Sequence, residues 1–264
     1  MTRIRSPLMA QYMGKFADYY DLFYAEKDYD HECGVLDALI QQFASDLPKR
    51  LLELACGTGN HAIRLQAMGY KVHAFDGSPD MIKVARKKGQ SKSSGPQFEI
   101  ADMREFDFPG EQFGIALCLF DSLGYVRTNE ALEQVFARVH KHLLPDGIFI
   151  FEVFHAAAML TGYSQTRVRR WTLPTKNLTR ISETSLDYPK QIATIHFTTI
   201  EVPHNDVCVQ YEETHENRFF SVPELKYIVD HNGFVFCDVF AGYSGSMVID
   251  KDTWHLLVVT RRRS

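Results

Sequence analysis

The run LLELACGTGN (51–60) constrains this chain more than any other feature. An apolar segment broken only by Glu53 enters a turn built on Gly57 and Gly59, and a helical pattern follows over about 59–68. Strand, glycine turn and helix in that order open a parallel-sheet unit. The glycines let a ligand approach the backbone closely, and the helix start presents N–H groups that lack an intrahelical partner. The pattern then repeats: Gly69 stops the helix, KVHAFD (71–76) is a strand, and Ser78-Pro79 caps and starts a helix running to Lys88. After a polar loop over 87–96 come the strands QFEIAD (97–102) and FGIALCLFD (113–121), a helix over 128–142, the turn LLPDG (143–147) and the strand IFIFEVF (148–154). Apolar strands alternating with helices mean a parallel sheet covered on both faces.

The flanks follow other rules. Residues 8–46 carry apolar and aromatic positions at helical spacing, and Pro48 ends that stretch. Between 165 and 220 the periodicity changes to two, as in Ile192, Thr194, His196 and Thr198, which marks antiparallel strands with one wet face. Ser221-Val-Pro-Glu224 is a capping box opening a helix to His231, ended by Asn232-Gly233, and FVFCDVF and TWHLLVVT close the chain as two strands. The expected fold class is therefore α/β: a doubly wound, Rossmann-like sheet with a final antiparallel strand, plus an inserted antiparallel β lobe. The expected division is a helical segment over 1–46, an α/β domain over 47–154 and 221–264, and the lobe over 155–220.

With 264 residues, 45% of them hydrophobic and 23% charged, the chain can bury a sizeable core. Its net charge of -4 argues against binding through neutralisation of a phosphate backbone, so no nucleic-acid partner is expected. The basic groups Arg167, Arg169 and Arg170, and the tail 261–263, read as charged strand edges. Five scattered cysteines without metal-ligand spacing point to reduced intracellular thiols and no metal site. No apolar run is long enough to span a bilayer, and MTRIRSPLMAQYMG is no signal peptide, so a cytoplasmic protein without a membrane partner is expected.

Two ligands suit the glycine turn, a dinucleotide such as NAD and S-adenosylmethionine. Gly57, Gly59 and Ala62 fit a dinucleotide pattern, and Asp76 ends the next strand, where a carboxylate accepts both ribose hydroxyls of either ligand. Three features favour S-adenosylmethionine. Glu53 puts an acid at the pocket edge, which suits a sulfonium and an ammonium rather than a pyrophosphate. Asp102 follows the third strand, where it can accept from an adenine amino group while backbone near Met103 meets the ring. The chain also ends in two strands close enough to pair.

The runs LLELACGTGNHAIRL, KVHAFDGSPDMIKVAR, ADMREFDF and LLPDGIFIFEV together resemble the class I S-adenosylmethionine-dependent methyltransferases over roughly residues 50–154. That resemblance implies a methyltransferase sheet and S-adenosylmethionine as cofactor, with S-adenosylhomocysteine as product. It implies cofactor contacts at Glu53, Ala55, Gly57, Gly59, Asp76, Gly77, Asp102, Met103 and Phe120. QYMGKFADYYDLFYAEKDYDHE and YEETHENRFFSVPELKYIVDHNGF resemble small-molecule N-methyltransferases acting on nucleotide-linked amino sugars. The first run implies a lid, with Tyr12, Tyr20 and Asp21 in the pattern that covers the cofactor. Where those enzymes place a histidine after the fourth strand, FDSLGYV carries Tyr125, whose ordinary pKa near ~10 keeps the histidine role from transferring directly.

The chemistry asks for in-line positioning, exclusion of water and a neutral amine. Tyr20, Tyr125 and His215 are the candidate catalytic groups, with Tyr12 and His155 also in view. The expected partner is a small-molecule acceptor, most simply an amino sugar, with the lobe over its side of the pocket and a homodimer face as a further expectation. Alternatives are an O-methyltransferase of a small metabolite, an RNA methyltransferase and a non-catalytic S-adenosylmethionine-binding protein. FDSLGY lacks the Asn/Asp-Pro-Pro-Tyr run common among base methyltransferases.

Overall fold

Local capping decides the first departure from the periodicity. The computed structural model describes residues 14–90 and 95–264. There the helical N-terminal stretch is two helices, α1 (Lys15–Phe23) and α2 (Tyr29–Ala44). Asp28 causes the break: its carboxylate accepts the His31 N–H at 2.9 Å and starts α2 afresh. Next come β1 (Arg50–Leu54), α3 (Asn60–Ala67), β2 (Lys71–Asp76), α4 (Pro79–Gly89) and β3 (Gln97–Ile100). The three strands pair in parallel, Leu52 opposite His73 and Ala74 opposite Phe98. Ser78 caps α4 by accepting the Met81 N–H at 3.3 Å, and Pro79 takes the first helical position.

β4 (Phe113–Cys118) is buried at every position, α5 spans Asn129–His142, and β5 spans Leu143–Phe154. The segment expected as a turn falls inside β5, where Asp146 takes φ 60. A short helix, α6 (Ala156–Gly162), follows; its apolar run is too brief to show a helical period, and Met159 packs with Ala193 and Phe219. β6 (Thr166–Leu173), β7 (Lys176–Asp187), β8 (Ile192–Pro203) and β9 (Val209–Arg218) form an antiparallel sheet in chain order. α7 (Val222–His231) carries the expected capping box, with Glu224 accepting the Ser221 N–H, and Gly233 turns the chain at φ 79. β10 (Phe234–Ala241) and β11 (His255–Arg262) pair antiparallel, so the expected final antiparallel strand is present. The larger sheet runs β10-β11-β5-β4-β1-β2-β3, the last strand slipping in beside β5.

The chain divides into two compact units, one of residues to 117 with 137–149 and 264, the other of 118–136 with 150–263. In the first, Phe75, Phe106 and Phe108 stack on one another, and Phe106 lies 4.9 Å from the His142 ring. In the second, Phe136 meets Phe151 and Phe234 edge-on at 5.9 and 5.5 Å. Such offset aromatic pairs add to simple burial.

Candidate active site

The glycine turn lies wholly in the first unit. Ala55, Gly57 and Gly59 take φ 51, 55 and 76, a left-handed run that bends the chain from β1 into α3. A Cβ on Gly59 would come 2.7 Å from Phe98, so no larger residue fits. Gly59 caps α3 without a side chain, leaving the helix start open to an acceptor from a ligand. Asp76, at the end of β2, faces the turn: its Oδ2 accepts the Gly57 N–H at 2.9 Å and its Oδ1 the Ser78 N–H at 2.8 Å. Beside it Glu53 is 2% exposed, accepts the Ala62 N–H, and has an Oε2 without a hydrogen-bond partner. Burial first, and the Asp76 charge second, push the Glu53 carboxyl up to about 8.

These groups fit S-adenosylmethionine. A buried acid with an orphaned oxygen calls for a cation or a hydrogen-bond donor, and a pyrophosphate supplies neither. Two acids beside a turn whose Gly59 has no room for a Cβ match a ligand bearing a sulfonium, an ammonium and a ribose. Sequence reasoning missed the chain behind Glu53: His61 Nδ1 lies 3.9 Å from Glu53 Oε1, and its Nε2 lies 2.8 Å from Glu32 Oε2. The i, i+29 spacing of that second contact leaves no local signal.

α1 docks onto this turn through Asp21. Its Oδ1 accepts from Thr58 Oγ1 at 2.6 Å and Asn60 Nδ2 at 2.9 Å, and its Oδ2 accepts from Lys88 Nζ at 2.8 Å. Tyr20 is buried, and its hydroxyl lies 3.9 Å from where a Gly57 Cβ would sit, which brings this candidate onto the turn. Tyr12 lies outside the described residues. Asp102 follows β3, its Oδ1 accepting the Arg104 backbone N–H and Nε–H at 2.9 Å each. Although burial pushes Asp102 up, these Arg104 bonds hold its carboxyl below the usual range. Gly77 lies beside Ala101, and Met103 stands in the turn that follows Asp102.

The second unit holds the other candidates. Phe120 and Asp121, just past β4, take φ 54 and 57. The Phe120 N–H donates to Glu152 Oε2 at 2.7 Å, an oxygen that also accepts from the Tyr243 hydroxyl at 3.0 Å. A single 3₁₀ turn over Ser122–Tyr125 follows, and Gly124 fits there because a Cβ would strike the Asn217 side chain. The turn aims Tyr125 at β9, where its hydroxyl meets His215 Nδ1 at 2.9 Å. The two candidates taken separately from the sequence thus form one pair. Glu213, which sequence reasoning passed over, lies 2.9 Å from His215 Nε2. Asp121, Glu152 and His255 also meet, with His255 Nδ1 3.0 Å from Asp121 Oδ2 and 3.3 Å from Glu152 Oε1, and their ligand atoms all lie within 4.8 Å, close enough to hold a metal ion. His155 is buried with Nδ1 3.0 Å from the Thr253 carbonyl, a packing role.

Comparison with known proteins agrees with this geometry. Residues 51–147 match the methyltransferase domain family. The putative methyltransferase YqeM of Bacillus subtilis is 29% identical over 83% of this chain and 85% of its own length. The dTDP-3-amino-3,6-dideoxy-alpha-D-glucopyranose N,N-dimethyltransferase of Streptomyces fradiae is 29% identical over 80% of each chain. Among solved structures, an S-adenosylmethionine-dependent methyltransferase from Clostridium acetobutylicum superimposes with a TM-score of 0.80, at 21% identity, over 95% of this chain and 98% of that one. Residues 51–147 are therefore a methyltransferase domain, and the chain shares the fold of S-adenosylmethionine-dependent methyltransferases.

Proposed function

We propose that this methyltransferase moves the methyl group of S-adenosylmethionine to an amine of a small molecule, an amino sugar being the best match. The observation that carries the cofactor is the buried Glu53 with its orphaned oxygen beside Asp76. The amine is supported by a relative named as an amino-sugar N,N-dimethyltransferase that aligns over most of the chain. Glu53 serves the cationic end, Asp76 the ribose hydroxyls, Gly57 and Gly59 the close backbone approach, Asp102 and Met103 the adenine, and Tyr20 the cover. Ala55 and Gly77 shape the edges of that site, and Phe120 is a further candidate cofactor contact. When bound, the cofactor supplies a methyl already activated by a sulfonium. The chain's own residues do the rest: they orient the acceptor, exclude water and remove a proton. Tyr125 and His215, the latter on the lobe of residues 155–220, act on the acceptor, and the setting is cytoplasmic.

Purified protein incubated with S-adenosylmethionine and a panel of amines, nucleotide-linked amino sugars included, and hydroxyl compounds tests this reading. Release of S-adenosylhomocysteine with an amine supports it. Release with hydroxyl compounds alone assigns O-methylation, and calorimetric binding of NAD without S-adenosylmethionine overturns the cofactor.

A further inference from the structure

We propose that Tyr125, His215 and Glu213 form a proton relay in which the Tyr125 phenol takes the acceptor's proton while passing its own to the imidazole. The proposal rests on the amine-transfer reading above. It starts from geometry within one unit. The Tyr125 hydroxyl lies 2.9 Å from His215 Nδ1, and Glu213 Oε2 lies 2.9 Å from Nε2 on the opposite edge of the ring, an ion-pair separation offset from a straight hydrogen bond. His215 is 1% exposed, while Tyr125 is half-buried, so of the pair Tyr125 is the more accessible to an acceptor. Phe197 stands edge-on to the imidazole at 5.1 Å and holds its orientation.

The order of the three groups sets the tautomer. A carboxylate beside Nε2 keeps the ring hydrogen there, so Nδ1 is left as an acceptor and the phenol O–H donates to it. A tyrosine alone is a poor base at neutral pH, because its phenolate is scarce. Paired with a buried imidazole that can accept its proton, it can receive one without ever standing as a free phenolate. The balance is simple: as the carbon–nitrogen bond forms and the carbon–sulfur bond breaks, the acceptor's N–H proton goes to Tyr125 Oη and the phenol proton to His215 Nδ1. Glu213 then faces an imidazolium and stabilises it. Tyr125 is the catalytic residue; His215 and Glu213 position and charge it. The charged neighbours are Glu213 on β9 and, across Phe197, the Arg180 guanidinium on β7, 3.8 Å from that ring. The carboxylate is the nearer of the two, so it sets the sign.

The full chain, labelled with nitrogen isotope at histidine, tests the relay without any acceptor. Its signal is assigned by difference from His215→Asn. The relay requires the Nε2–H tautomer, an Nδ1 shift that moves in Tyr125→Phe, and protonation at lower pH in Glu213→Gln. An Nδ1–H tautomer donating to the phenol overturns it, whatever the substrate proves to be. With an amine that the panel identifies, Tyr125→Phe should lower kcat with little change in the KM for S-adenosylmethionine. Glu213→Gln should lower kcat and shift the acid limb of the pH profile downward, with Glu213→Asp restoring part of both. Normal turnover in His215→Asn would also overturn the relay, while a drop in rate without a shift of the limb would leave His215 and Glu213 as packing and overturn their roles.

Discussion

Glu53 shows how a buried acid is held at a cost in stability. Its carboxyl is shifted upward, from 4.5 to about 8, by burial and then by Asp76. The sign follows from linkage. Between these values the folded chain keeps a proton that the unfolded chain releases, so the site costs stability progressively as pH rises through that window and the cost is full above it. Glu53→Gln keeps the shape and removes the titration. The variant should melt higher than wild type at pH 8, with the difference shrinking toward pH 5, and should bind S-adenosylhomocysteine at least roughly tenfold more weakly because a charge-assisted contact to its ammonium is lost. Thermal melts at both pH values with and without ligand check both halves. A variant equally destabilised at each pH would mean that the carboxylate is held ionised. Stability given up at a binding site is a common trade in enzymes.

At the scale of elements, α1 turns on Asp21. Burial pushes this carboxyl up, but hydrogen bonds from Lys88, Thr58 and Asn60 hold it below its ordinary value of 3.8. A depressed carboxyl stabilises above the unfolded pKa, and the contribution is lost as pH falls through the folded one. Asp21→Asn should therefore speed amide exchange across α1 several-fold at neutral pH, leave β1 and β2 protected, and narrow the difference as pH falls toward 3. Uniform protection in both proteins would make the buried Phe16, Tyr19 and Phe23 the whole anchor. If the 1–46 segment acts as a lid, S-adenosylhomocysteine should slow exchange in α1 more than in the core strands. The contrast between α1 and the sheet also explains what was legible in the sequence. β1, α3, β2 and α4 each fall within a residue or two of their expected bounds, because burial on both faces and the glycine, serine and proline signals agree there. The break after Phe23 hides because Asp28 caps from within an aromatic-rich run. α6 hides because it is shorter than the window a helical period needs. Within the candidate site, the places of Glu53 and Asp76 on β1 and β2 are legible in the sequence, whereas the pairing of Tyr125 with His215 spans 90 residues and belongs to tertiary structure alone.

For the molecule as a whole, the candidate cofactor residues from Tyr20 to Met103 fall in one compact unit, and the candidates Phe120, Tyr125 and His215 fall in the other. Among the described residues, the second unit ends one sheet at β6, a strand whose backbone groups on the outer side have no neighbouring strand in that sheet. Such an edge invites pairing with another copy of the chain, and like charges placed along it oppose that pairing. Arg167, Arg169 and Arg170 are all exposed on β6, next to an exposed Val168. Two antiparallel β6 edges would bring these arginines together, so a homodimer formed through the lobe should use a sheet face rather than this edge. Replacing the three arginines with threonine keeps the β propensity and removes the repulsion. The triple variant should associate in a concentration-dependent way by analytical ultracentrifugation, at concentrations where the wild-type distribution stays fixed, and added salt should push the wild type in the same direction by screening. A variant with the wild-type distribution at every concentration would show that something other than charge protects the edge.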